Sequence, residues 1–170
     1  DAWLRLQGQG SGITIVSDEG DLVQDIYDIL DVVREYDMVL ASGHVSPSEA
    51  IALFREARSR GITRMIATHP VGIATAGELQ EMASLGACVE HTFLSCMPGS
   101  GGKSIGDLVD SLNTLGLDNC LVTTDFGQWM NPPPAEGLRM AIAALLEAGL
   151  RVEDISALVK TNPLDLIGLE

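Results

Sequence analysis

Short apolar runs, each followed at once by an amphipathic helical stretch, recur along this chain and constrain its fold more than any other feature. Residues 38–44 (Met38 to His44) read as a strand, and Ser46, Pro47 and Glu49 then open a helix. Ser46 suits the N-cap, Pro47 the first turn and Glu49 the return half of a capping box, and Gly61 stops the helix. The unit repeats. Residues 64–70 predict a strand before a helix over 75–85, and residues 87–93 a strand before a helix over 104–116. Residues 120–127 predict a strand before a helix over 135–149. Strands that are almost continuously apolar, alternating with helices, belong to a parallel sheet covered on both faces. Residues 13–16 add a fifth short strand, residues 18–21 a turn and residues 22–36 an amphipathic helix. The chain closes as helix over 152–166, interrupted near Asn162-Pro163, and residues 1–12 read as an irregular lead-in.

The length of 170 residues is enough for one domain, and no linker or low-complexity tract divides it. Two architectures accept the strand count: a free-standing doubly wound sheet, or the C-terminal part of an eight-stranded βα barrel of about 250 residues. Composition narrows the function classes. With 10 Lys and Arg against 24 Asp and Glu, the net charge of -14 repels phosphate backbones and anionic lipid surfaces. Nucleic acid and membrane are therefore not expected partners. The 3 cysteines (Cys88, Cys96 and Cys120) form no CxxC pair, which suggests buried thiols in a reducing, cytoplasmic setting.

In parallel βα folds, function gathers where strands end and loops lead into helices. All 3 histidines of the chain, His44, His69 and His91, lie at the ends of successive predicted strands, and Asp125 takes the same place on the next. Any one alone suits a structural residue. As a set they suit a divalent metal, because Leu40, Ser42 and His44 share one strand face, as do Met65, Ala67 and His69, and Leu121, Thr123 and Asp125. Adjacent residues point to opposite faces, so Glu90 and His91 cannot both face the mouth unless a bulge intervenes. His91 is expected as the functional member and Glu90 as a buried polar group beside the pocket. Gln128 and Trp129 follow Asp125 in a proline-stiffened loop and are expected to shape the pocket, with Trp129 packed on a neighbouring loop as the alternative. The Gly99–Ser104 run ends like a phosphate-binding loop, but Met97 stands where that motif needs glycine, so Ser104 is expected only to cap the next helix.

Ser42-Gly43-His44, Ala67-Thr68-His69-Pro70 and Thr123-Thr124-Asp125-Phe126-Gly127 resemble the ends of strands five, six and eight in the amidohydrolase superfamily. Lys160-Thr161-Asn162-Pro163, with Leu166-Ile167-Gly168-Leu169, resembles the Asn-Pro tail of many such enzymes. The run from Gly12 to Leu169 is similar to uncharacterised amidohydrolase-like proteins. The resemblance implies the C-terminal part of a (β/α)8 barrel, with four to five parallel strands. It implies a metal-dependent hydrolase of a small-molecule amide, lactone or ester, with zinc expected and manganese or iron as alternatives. His44, His69 and Asp125 would hold the metal, Asp125 and His91 would be catalytic, and Glu90, Gln128 and Trp129 would line the substrate pocket. The superfamily's His-x-His pair has no counterpart here, and the chain begins with Asp1 rather than Met, so the first three or four strands are expected to be missing. A homo-oligomer, or pairing with the missing N-terminal half, would then cover the open flank. The rival reading is a non-catalytic α/β fragment or doubly wound binding module without metal.

Overall fold

Three helices begin with a side chain that accepts from the third amide of the first turn, and each is where the sequence predicts it. A computed structural model of the protein describes residues 12–100 and 102–169, so the lead-in over 1–11 and Gly101 lie outside the described residues. Ser46, Thr75 and Ser104 cap α2 (Pro47–Ser59), α3 (Ala76–Ser84) and α4 (Ile105–Leu115) in complete capping boxes closed by Glu49, Glu78 and Asp107. The remaining α-helices among the described residues are α1 (Gln24–Glu35), α5 (Pro134–Glu147), α6 (Val152–Ser156) and α7 (Asn162–Ile167). Strands β1 (Leu40–Ala41), β2 (Met65–Ala67), β3 (Ala87–Thr92) and β4 (Cys120–Thr123) form one sheet in the order β1-β2-β3-β4. The β1–β2 and β2–β3 pairings are parallel, with Leu40 opposite Met65 and Met65 opposite Ala87. The fold is thus α/β with sequential parallel pairing, as the βα repeat requires.

Two expectations change. Residues 13–16 make no strand: Val16 forms only an isolated antiparallel bridge to Leu22, and Ile13 is 89% exposed. The backbone there is used in other ways, with the Ile15 amide donating to Glu49 and the Val23 amide to the Ile15 carbonyl. The strands over 38–44, 64–70 and 120–127 are also shorter than expected, because the chain leaves the extended region at their carboxyl ends. His69 and Asp125 have φ of 29° and 54°, and Gly43 has 62°.

The chain divides into two compact units, Asp1–Val89 and Glu90–Glu170, and the division falls inside β3 rather than in a linker. In the first unit Leu30, Phe54, Ala57, Met65, Met82 and Val89 are buried. Arg58 crosses from α2 to donate to the Leu85 carbonyl at 2.8 Å, closing the end of α3. Glu49 is buried and accepts from Thr14 Oγ1 (2.6 Å), Ile15 N (3.0 Å), Ser46 N (2.9 Å) and Ser46 Oγ (2.6 Å). Burial alone would raise its pKa, but these hydrogen bonds outweigh that and hold it at about 2, against an ordinary 4.5. Because the folded value is depressed, the stabilisation is complete above pH 4.5 and lost as pH falls toward about 2. Its size is on the order of 3 kcal/mol. Urea unfolding of the parent should weaken across that window, and Glu49→Gln should flatten the slope while lowering stability at neutral pH.

In the second unit Leu108, Leu112, Cys120, Ala141, Leu145 and Leu158 are buried. The predicted closing helix is interrupted where Asn162-Pro163 warns it should be: a π turn, Ala157–Thr161, joins α6 to α7. Pro163 cannot donate to an upstream carbonyl, and a widened turn accommodates that loss. Asn162 Nδ2 donates to the carbonyls of Leu117 (2.8 Å) and Cys120 (2.6 Å), which fastens the tail to the start of β4. Among the described residues no helix is long and apolar enough to cross a membrane.

Candidate functional site

At the ends of β1 and β2 the first unit brings two of the expected residues together. His44 Nε2 and His69 Nε2 are 3.0 Å apart, with ring centroids at 4.8 Å and planes inclined by 52°. Neither ring comes to this position by regular strand geometry. Gly43 takes the left-handed backbone that places His44, where glycine has no Cβ to clash. His69 takes the same region with a side chain, an arrangement that costs about 1–2 kcal/mol and clusters at functional sites.

The pair opens on a cleft of about 20 Å³, space for roughly one water molecule. Ser42 and Thr68 form its polar side, and Val45, Pro70, Ile73 and Met82 its apolar side. Two imidazole nitrogens, small hydroxyls and apolar walls suit a bound cation or a small polar guest. Two imidazoles on one tetrahedral zinc, each at roughly 2.0–2.1 Å, stand about 3.3–3.4 Å apart. The observed separation needs only a few tenths of an ångström of opening to match, so these two donors fit such an ion. Among the described residues no group of three or more His, Cys, Asp or Glu side chains is gathered closely enough to hold a metal.

The second unit holds the other expected residues. Asp125 is exposed at the end of β4, and Gln128 Nε2 donates to its carbonyl at 3.1 Å. Phe126 beside it is buried, its ring 6.2 Å from that of Phe93. The same ring leaves no room at Gly137 of α5, where an added Cβ would stand 2.4 Å from Phe126 Cδ2. A helix-weakening glycine is therefore placed there to admit the ring that anchors the residue after Asp125.

Glu90 and His91 lie on opposite faces of β3, as strand alternation requires. His91 is 2% exposed, and its Nε2 lies 2.9 Å from Ser111 Oγ on α4, so it sits in the helix-facing core rather than where it could touch a substrate. Glu90, on the opposite face by strand alternation, accepts from Thr123 Oγ1 at 2.9 Å and is only half-buried. Gln128 serves its own loop, accepting from Gly127 N and Asn131 Nδ2. Trp129 is 93% exposed, so among the described residues it neither walls a pocket nor packs on a loop. Ser104 is the helix cap the sequence predicts. The sequence marks Ser42 only as a small neighbour of His44 and gives Thr68 no part of its own; the structure places both hydroxyl residues on the wall of the cleft.

Solved structures share the fold. An enzyme engineered for organophosphate hydrolysis from a weak promiscuous lactonase template matches with a TM-score of 0.64 at 17% identity, covering 84% of this chain and 51% of that one. A mutant organophosphorus hydrolase matches with a TM-score of 0.62 at 16% identity, covering 84% of this chain and 50% of that one. The chain thus spans about half the length of the structures it matches, and the common feature is part of a TIM-barrel-like hydrolase fold. Comparison with curated proteins finds no match. The model of the family of unknown function DUF6282 matches residues 4–90, just over half of the 170, and this chain belongs to that family.

Proposed function

We propose that the chain carries part of a metal-dependent hydrolase centre, with His44 and His69 as two of the metal ligands. The observation that carries this reading is the facing pair of Nε2 atoms at 3.0 Å, held over a cleft by left-handed backbone at His69. The shared fold with organophosphate- and lactone-related hydrolases supports it. A divalent ion there, zinc by its nitrogen donors, would polarise a carbonyl and make water nucleophilic near neutral pH. By resemblance, Asp125 would be the general base, its carboxylate the group that accepts a proton. The substrate class is a small molecule with an amide, lactone or ester bond. Val45, Pro70, Ile73 and Met82 line the cleft and would shield a bound ion from bulk water.

The experiment is metal uptake by the metal-free protein, read by calorimetry with zinc and by visible absorption with cobalt. The parent and Asp125→Asn should bind a divalent ion and His44→Ala should not. Hydrolysis of a lactone or aryl ester should fall at least about 100-fold in Asp125→Asn, as for loss of a general base. A parent chain that takes up no divalent ion sinks the proposal.

A further inference from the structure

The β1–β2 ladder ends in an unusual way. Leu40 N donates to the Arg64 carbonyl (2.9 Å) and Ser42 N to the Ile66 carbonyl (3.0 Å), the alternate rungs of a parallel pair. The next rung would take Thr68 N to the backbone carbonyl of Ser42. It goes to the side chain instead, with Thr68 N donating to Ser42 Oγ at 3.0 Å. The complementary bond also ends on a hydroxyl, with Gly43 N donating to Thr68 Oγ1 at 3.1 Å. Each strand end therefore gives an amide to the other's hydroxyl, and the two bonds cross between β1 and β2.

The crossing has a geometric consequence. A regular rung would keep both chains extended, and the next residues would continue the pleat. With hydroxyls taking the amides, the backbone is free to turn into the left-handed region one residue later, at Gly43 and at His69. The strand ends stay tied at this spacing while the chains turn away. The histidines are the first residues past the tie, on a backbone that no longer needs to pair. Ser42 is 9% exposed, so its oxygen meets little competition from water.

We infer that Ser42 and Thr68 are positioning residues, whose crossed hydroxyl–amide bonds set the His44–His69 separation. The inference deepens the proposed metal reading and rests on it for its purpose, but the geometry it concerns can be measured without metal. Outer partners that fix the orientation of metal-binding histidines are worth about 10- to 100-fold in metal affinity.

The test uses the full chain with Thr68→Val, which keeps the branched shape and removes the acceptor, Thr68→Ser, which keeps the acceptor, and Ser42→Ala as an independent second break. The first readout is the nuclear Overhauser contact between the His44 and His69 ring protons in metal-free protein. It should be present in the parent and in Thr68→Ser, and lost in Thr68→Val and Ser42→Ala, with circular dichroism unchanged. The second is cobalt affinity, which should fall about 10-fold or more in Thr68→Val and Ser42→Ala and hold in Thr68→Ser. Ring contacts as strong in both broken variants as in the parent, or no contact in the parent, overturn the inference. If the parent binds no cobalt, the hydrolase reading falls while the ring contact still decides this one. If one variant fails to fold, the ring contact in the other broken variant decides between the same two outcomes.

Discussion

His69→Gly is expected to be more stable than His69→Ala by up to about 1.5 kcal/mol, while weakening divalent-metal binding by more than about 100-fold. Two opposing terms decide the first half. A left-handed residue with a Cβ costs about 1–2 kcal/mol, which glycine relieves. Glycine also gives the unfolded chain more freedom, at a cost of about 0.5–1 kcal/mol. The balance lies between about zero and 1.5 kcal/mol in favour of glycine over alanine. The second half follows from removing one of two ligands outright, a larger change than losing an outer partner, which costs about 10- to 100-fold. His69→Ala separates the two effects, because it loses the ring and keeps the strain: it should bind metal as poorly as His69→Gly and be less stable than it. Thermal melts and metal titrations of the three proteins check both halves. A glycine variant clearly less stable than the alanine variant would show that the φ of 29° at His69 stores no strain. Relief of backbone strain with loss of a proposed function is the expected pattern where a site holds a strained residue.

Asn162→Asp is expected to be the most destabilising single-atom change in the second unit. Asn162 Nδ2 gives both of its hydrogens to carbonyls, of Leu117 and of Cys120. Deleting the amide in Asn162→Ala loses two bonds worth about 1 kcal/mol each. The carboxylate does more harm, since it replaces two donors with a charged acceptor aimed at two carbonyl oxygens. Together with the lost bonds this costs roughly 3–5 kcal/mol, or a melting temperature lower by roughly 10 °C. The pH response gives the argument its sign. Repulsion raises the new carboxyl's folded pKa above its unfolded value, so the variant should recover part of its stability as pH falls through that raised value, when a protonated oxygen can donate once more. Equal stability of the Asp and Ala variants at neutral pH would overturn the account.

The helix caps, the βα order and the strand-end positions of His44, His69 and Asp125 were all legible in the sequence, because each rests on a local rule. Ser46 and Glu49 announce α2 by spacing alone, and the π turn is foreshadowed by Asn162-Pro163. What sequence could not give depends on partners distant along the chain. Residues 13–16 have the composition of a strand but are diverted by Glu49, some 34 positions away. The choice between Glu90 and His91 turned on the phase of a pleat, which Thr123 and Ser111 reveal only once β4 and α4 are in place. Trp129 has the chemistry of a pocket wall, yet the turn made by Gln128 and Asn131 leaves it in solvent.

The π turn at Ala157–Thr161 has one more consequence. Each α-helical residue advances the side-chain direction by about 100°, so a turn holding one extra residue rotates everything after it by about a quarter circle. The tail thus carries an angular offset written into its sequence, and Asn162 faces β4 because of it. A family member that had lost one residue between 157 and 161 would regain a regular helix and aim its asparagine elsewhere. In this stretch the spacing between residues, as much as their identity, makes the tail fit the sheet.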